Sequence, residues 1–164
     1  MSLAQMKAKL IDKYVDGVIN DPIEEAQLAA VSNNGLAIGY IDNPSEAVQL
    51  AAVTENGSAI THIKNPSEAV KLAAVSENGW AIQYIKKPSE EVQLAAVTDD
   101  ATAIQHITNP SEIVQLAAVS ENGLAIRVIK NPSEVVKEKV LSLAIDDIEL
   151  YNTISQLGWF KELS

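Results

Sequence analysis

The stretch Asn43-Pro44-Ser45-Glu46-Ala47-Val48-Gln49-Leu50-Ala51-Ala52-Val53-Thr54-Glu55-Asn56-Gly57-Ser58-Ala59-Ile60-Thr61-His62-Ile63-Lys64 is followed at once by a second Asn-Pro-Ser-Glu at 65–68. Outward from it, the six prolines of the chain, Pro22, Pro44, Pro66, Pro88, Pro110 and Pro132, stand 22 residues apart without exception. A fixed period of that length marks a stacked array of supersecondary units. Counted from each proline, five units run from Pro22 to Asn131, and a sixth keeps Pro132-Ser133-Glu134 and then departs.

Each unit predicts two helices. Asn43, Asn65, Asn109 and Asn131, with Asp21 in the first copy, are expected to act as N-caps, with proline in the first helical position. The glutamate column Glu24, Glu46, Glu68, Glu90, Glu112 and Glu134 then completes a capping box. The first helix should run about eleven residues and stop at Asn34-Gly35, Asn56-Gly57, Asn78-Gly79 and Asn122-Gly123, where glycine accepts the left-handed conformation. A second helix of about seven residues should lead to the next cap. In the fourth unit Asp100-Ala101 replaces Asn-Gly; an alanine at positive φ costs roughly 1 kcal/mol, so this turn is expected to be built differently.

On a helical projection, Val48, Ala51 and Ala52 fall on one side of the first helix and Leu50 and Val53 on another, leaving Ser45 and Gln49 for solvent. Ala59, Ile60 and Ile63 supply the inward stripe of the second helix. Such short helices are marginal alone, so their stability must come from stacking. The expected fold is therefore all-α, a right-handed-type α-solenoid of two-helix repeats. Its parts are an N-terminal capping helix in 1–21, with Leu3, Met6, Leu10, Tyr14 and Val15 inward, five repeats in 22–131, and a degenerate sixth repeat with a C-terminal cap in 132–164, all one folded domain. In that cap 146–157 predict a last helix, introduced by Asp146-Asp147.

Composition narrows the function. Aromatics are only 4% of the 164 residues, which largely excludes aromatic cages and stacking platforms, and no cysteine is present to form disulfides or thiolate sites. A net charge of −10 argues against direct contact with nucleic acid or anionic membrane. No apolar run reaches membrane-span length, and the start Met1-Ser2-Leu3 is not a signal segment; a soluble cytoplasmic protein is expected.

The unit Asn-Pro-Ser-Glu-x-Val-Gln-Leu-Ala-Ala-Val-x-x-Asn-Gly-x-Ala-Ile-x-x-Ile, in its closest copies at 43–63, 65–85 and 109–129, resembles the short helical repeats of the domain-of-unknown-function 4116 family of bacteria, phages and large DNA viruses. The resemblance covers about 110 residues, Pro22 to Asn131. It implies a helical repeat protein and brings no catalytic residues.

His62 and His106, the only histidines, both occupy the nineteenth position of their unit. Two repeats should separate them by something like 20 Å, too far for one metal ion, and exposed non-catalytic histidine is the expected reading. The glutamate column has a capping job that favours the ionised form, the opposite of a tuned general acid. No phosphate-loop motif occurs, and no nucleophile, base and orienting group can be assembled; neither catalysis nor cofactor nor metal is expected.

The copies differ most at their fifteenth, eighteenth and nineteenth positions: Leu36, Gly39 and Tyr40; Ser58, Thr61 and His62; Trp80, Gln83 and Tyr84; Thr102, Gln105 and His106; Leu124, Arg127 and Val128. On an α-helix these share one face, and stacking would line the faces into a ribbon centred on Trp80 and Tyr84, flanked by Tyr40, His62 and His106, with Gln83 and Arg127 beside them. Tryptophan and tyrosine are usual interface anchors, so the first expectation is a non-enzymatic module binding a protein partner. The bland reading is drift at positions free of core constraint, with Trp80 covering a neighbouring turn. The alternative function is an acidic nucleic-acid mimic that blocks a nucleic-acid-binding partner through the row Glu55, Glu77, Asp99, Asp100 and Glu121; the opposing row Lys64, Lys86 and Lys130 ranks it second. Neither partner identity nor oligomeric state is legible.

Overall fold

The computed structural model of the protein describes residues 22–161. Its α-helices begin with α1 (Pro22–Asn33), α2 (Glu46–Glu55), α3 (Glu68–Glu77), α4 (Glu90–Asp99), α5 (Glu112–Glu121) and α6 (Glu134–Leu143). Each of the first five is followed by a six-residue 3₁₀ helix: η1 (Gly35–Tyr40), η2 (Gly57–His62), η3 (Gly79–Tyr84), η4 (Ala101–His106) and η5 (Gly123–Val128). Two short helices, α7 (Ile148–Ile154) and α8 (Gly158–Lys161), close the described chain. There is no strand among the described residues, and no helix there is long and apolar enough to cross a membrane. Successive α-helices pack side by side, successive 3₁₀ helices do the same, and α2 to α5 each also cover the 3₁₀ helix of the unit before. The result is an α-solenoid of two layers built from five tandem helix pairs. The expected N-terminal helix with Leu3, Met6, Leu10, Tyr14 and Val15, and the cap at Asp21, lie outside the described residues.

One core runs continuously from Val31 to Ile154. In the second to fifth units the valines of the fifth and tenth positions and the second alanine of the pair, such as Val48, Val53 and Ala52, are wholly buried. Leu50 and Ala51 pack partly buried against them. In the second layer the apolar period is three: Gly57, Ile60 and Ile63 are all buried, at i, i+3 and i+6. Three residues per turn is the 3₁₀ repeat, so that winding alone puts all three under the α layer. Bonds from Ala59 N to Asn56 O (2.8 Å) and Ile63 N to Ile60 O (3.1 Å) close its turns.

The helix starts differ from the sequence expectation. From the second unit on, serine is the N-cap, as at Ser45, whose Oγ accepts from Val48 N at 3.3 Å, and the helix begins at glutamate; only α1 begins at its proline. Glu46 is thus the first helical residue, not the third, and no capping box forms. Instead the serine hydroxyl, which can accept and donate at once, also donates to the glutamate of the preceding unit: Ser45 to Glu24, Ser67 to Glu46, Ser89 to Glu68 and Ser111 to Glu90. In these four units the capping serine therefore also ties neighbouring repeats, whereas Ser133 caps its helix without such a bond among the described residues. Gln49, expected to face solvent, is half-buried and donates from Nε2 to Pro44 O at 2.9 Å.

Asn43 and Asn109 stand instead in the left-handed region of the return loops, with φ of 52° and 54°, and in the third unit Lys87 occupies it at 53°. Asparagine adopts this conformation more readily than lysine. Lys87→Asn is therefore expected to stabilise the protein by about 0.5 kcal/mol. Denaturant midpoints should show that gain, and Lys87→Ala should show none.

The helix ends also differ. No glycine among the described residues has positive φ; Asn56 is extended, at φ −152° and ψ 106°, and closes α2 while its side chain caps η2. Gly57 is glycine because α3 passes against it: a Cβ there would strike the Ala74 carbonyl oxygen and come within 2.8 Å of Glu77 Oε2. The Gly57 amide donates to that Glu77 carboxylate, and the same bond joins Gly35 to Glu55 and Gly79 to Asp99. The fourth turn keeps the extended backbone of the others, with Asp100 at φ −141° and ψ 110°, so Ala101 carries no positive-φ strain. It differs, as expected, in its contacts: a buried methyl group stands in the glycine's place, and the Ala101 amide has no carboxylate partner among the described residues.

At the C-terminal end α7 takes over the covering of η5. It starts one residue after Asp147, whose side chain accepts from Leu150 N at 2.9 Å, and sinks Leu150 and Ile154 into the core. It is shorter than the 146–157 span expected, and Trp159 and Phe160 lie in the separate turn α8.

Candidate functional site

The serine–glutamate bonds place the N-termini of the α-helices along one edge of the stack, and the glycine–carboxylate bonds place their C-terminal turns along the other. A ten-residue α-helix separates the edges by about 15 Å. The variable positions lie on the 3₁₀ layer between them.

Because that layer is 3₁₀ and not α, the fifteenth and eighteenth positions eclipse one another, while the nineteenth turns about 120° away. The three do not share one face of their own helix, contrary to expectation. Side chains at eighteen instead fold back onto the carbonyl at fifteen: Gln83 Nε2 donates to Trp80 O at 3.1 Å, Gln105 Nε2 to Thr102 O at 3.0 Å, and Thr61 Oγ1 to Ser58 O at 2.9 Å. The ribbon is assembled across repeats. The His62 ring lies over Gly39 of the unit before, where a Cβ would meet its Nδ1 at 3.1 Å. The His106 ring meets Trp80 of the unit before edge-on, with centroids 4.9 Å apart and planes at 64°. The histidines thus occupy two separate contacts.

Trp80 is held at both ends of its side chain. Besides His106, its Nε1 donates to Asp100 Oδ2 at 2.7 Å, one repeat on. Asp100 also caps η4, accepting from Thr102 N at 2.8 Å and from Thr102 Oγ1 at 2.6 Å. These bonds, led by the Thr102 hydroxyl and opposed by partial burial, hold its carboxyl below the usual aspartate range. The residue that fixes Trp80 was assigned by sequence only to the acidic row. Its signal was present: the fourth unit alone has Asp-Ala for Asn-Gly, and it follows the one unit that has tryptophan at position fifteen.

The tyrosines are presented openly. Tyr40 is 94% exposed and Tyr84 51%, against 38% for Trp80. Tyr84 also borders a cleft of about 520 Å³ with Lys64, Lys71 and Lys86. Arg127 is exposed at the far end of the ribbon, and Gln83 lies beside Trp80.

The acidic row is partly committed to the fold. Glu55, Glu77 and Asp99 each accept a backbone amide of the preceding turn and Asp100 holds Trp80, while Glu121 makes no hydrogen bond among the described residues. Lys64, Lys86 and Lys130 follow the 3₁₀ helices in the return loops, at the opposite edge, so they do not offset the acidic row locally. No group of three or more histidine, aspartate and glutamate side chains suited to a metal ion occurs among the described residues. No protein-family model, curated protein or solved structure matches the chain.

Proposed function

We propose that the chain is a non-enzymatic helical-repeat module that binds a protein partner along its 3₁₀ layer. The observation that carries this reading is the exposure of Tyr40 and Tyr84, at 94% and 51%, on a layer whose backbone is pinned from repeat to repeat. Aromatic side chains on a rigid frame offer a large contact area with little entropy to lose on binding. Trp80, clamped by Asp100 and His106, extends that frame.

A second reading, the acidic mimic, is favoured by one observation. Glu55, Glu77, Asp99 and Glu121 recur at one per repeat along an edge whose turns carry no basic residue. Against it, three of those carboxylates already serve as acceptors for backbone amides.

Capture from the native host with wild type and Tyr40→Ala/Tyr84→Ala separates the two. This pair leaves the Trp80–Asp100 bond intact and should preserve helix content. Anchors of this kind commonly cost about 2 kcal/mol or more each, so partner retention should fall at least about tenfold and depend weakly on salt. Full retention by this variant, with loss on charge reversal at Glu55, Glu77 and Glu121 and on raising salt, would favour the mimic instead.

A further inference from the structure

The chain has four Asn-Gly pairs in its described repeats: Asn34-Gly35, Asn56-Gly57, Asn78-Gly79 and Asn122-Gly123. In such a pair the glycine nitrogen, once it gives its proton to solvent, can attack the asparagine Cγ, and glycine has no side chain to hinder ring closure. The Cγ–Nδ2 bond breaks, ammonia leaves and a succinimide remains. Water then opens either carbonyl of the ring, leaving aspartate or isoaspartate. No oxidant or reductant is involved.

Local geometry does not distinguish the four. Each asparagine is extended, with φ between −148° and −156° and ψ between 103° and 111°, and each Oδ1 accepts from the amide two residues on. The nucleophile distinguishes them. Gly35 N–H is held by the Glu55 carboxylate, Gly57 by Glu77, and Gly79 by Asp99 at 2.6 Å. Removing a proton that bonds to a carboxylate would place two negative charges side by side, so these amides are poor nucleophiles. Each partner lies 20 residues on. The residue 20 beyond Gly123 is Leu143, which has no acceptor to offer, and the Gly123 amide makes no hydrogen bond among the described residues. Asn122 is exposed and Gly123 only half-buried, whereas Gly35, Gly57 and Gly79 are buried.

We propose that Asn122 is a deamidation site of this protein, and that the carboxylates of the following repeats protect the other three Asn-Gly pairs. Conversion to aspartate keeps an oxygen able to cap η5, as Asp100 caps η4. Isoaspartate lengthens the backbone by one atom between α5 and η5, at the point where Gly123 lies against Leu150 of α7. That product should loosen the C-terminal helices from the array.

The chain contains its own control, since Asn34-Gly35-Leu36-Ala37-Ile38 and Asn122-Gly123-Leu124-Ala125-Ile126 have the same five residues. Folded protein held at mildly alkaline pH should be sampled over days and each pair followed by peptide mapping in a mass spectrometer. Asn122 should convert at least about tenfold faster than Asn34, equivalent to about 1.4 kcal/mol in barrier. In urea the two rates should converge, and in folded Glu55→Ala the Asn34 rate should rise toward that of Asn122. Equal rates in the folded protein would overturn the proposal, as would an excess at Asn122 that persists in urea.

Discussion

Gly57→Ala is expected to lower the unfolding free energy by about 1–3 kcal/mol, a large cost for a single methyl group. The added carbon would land on the Ala74 carbonyl oxygen and within 2.8 Å of Glu77 Oε2. A carbonyl in the interior of α3 cannot rotate away as a side chain would, so the two repeats must separate. Separation also strains the bond from the Gly57 amide to Glu77. Gly158→Ala is the matched control, because a Cβ there meets nothing within 4 Å; its effect should stay within about 0.5 kcal/mol. Urea midpoints for the two variants test the close approach directly, and equal midpoints would refute it.

Ala74→Leu is expected to cost about 1–3 kcal/mol by overpacking. Ala74 is wholly buried in α3, and its carbonyl is the one that faces Gly57, so added volume is transmitted straight to the neighbouring repeat. Ala69→Leu, on the exposed side of the same helix, should change stability by less than about 0.5 kcal/mol. Gln49→Leu is not a neutral control despite its polar position in the unit, since it deletes the bond to the Pro44 carbonyl. Unchanged urea m-values with a lowered midpoint for Ala74→Leu would show that the array still unfolds as one unit. A midpoint shift for Ala69→Leu as large as that for Ala74→Leu would mean that the faces of α3 are misassigned.

Both predictions concern contacts between one repeat and the next, and the boundary between what was legible in the sequence and what was not follows those contacts. The 22-residue proline interval, the all-helical class, the wholly buried Val48, Ala52 and Val53 and the inward Ala59, Ile60 and Ile63 could all be read directly, because each follows from periodicity within one unit. The ribbon was legible as a set of positions, but its geometry was not. An α-helical face was expected at positions fifteen, eighteen and nineteen, whereas the 3₁₀ winding eclipses the first two and leaves the third to meet the preceding repeat, as His106 meets Trp80.

Where two local solutions were equally good, only the tertiary structure chose. Asn43 and Ser45 are both competent N-caps; Ser45 takes the role, and its hydroxyl also donates to Glu24 of the unit before, a bond that does not exist within a single repeat. Gly57 was expected to serve a left-handed turn, and the passage of α3 at Ala74 shows that it serves close approach instead. Asp100 looked like one more surface carboxylate until stacking brought it to the Trp80 indole. By itself the sequence determined the repeat, the all-helical class and most of the core, since these depend on order along the chain. The second bond of the capping serine, the reason for glycine and the fixing of Trp80 depend on neighbours about 20 residues away, brought within hydrogen-bonding range only by stacking.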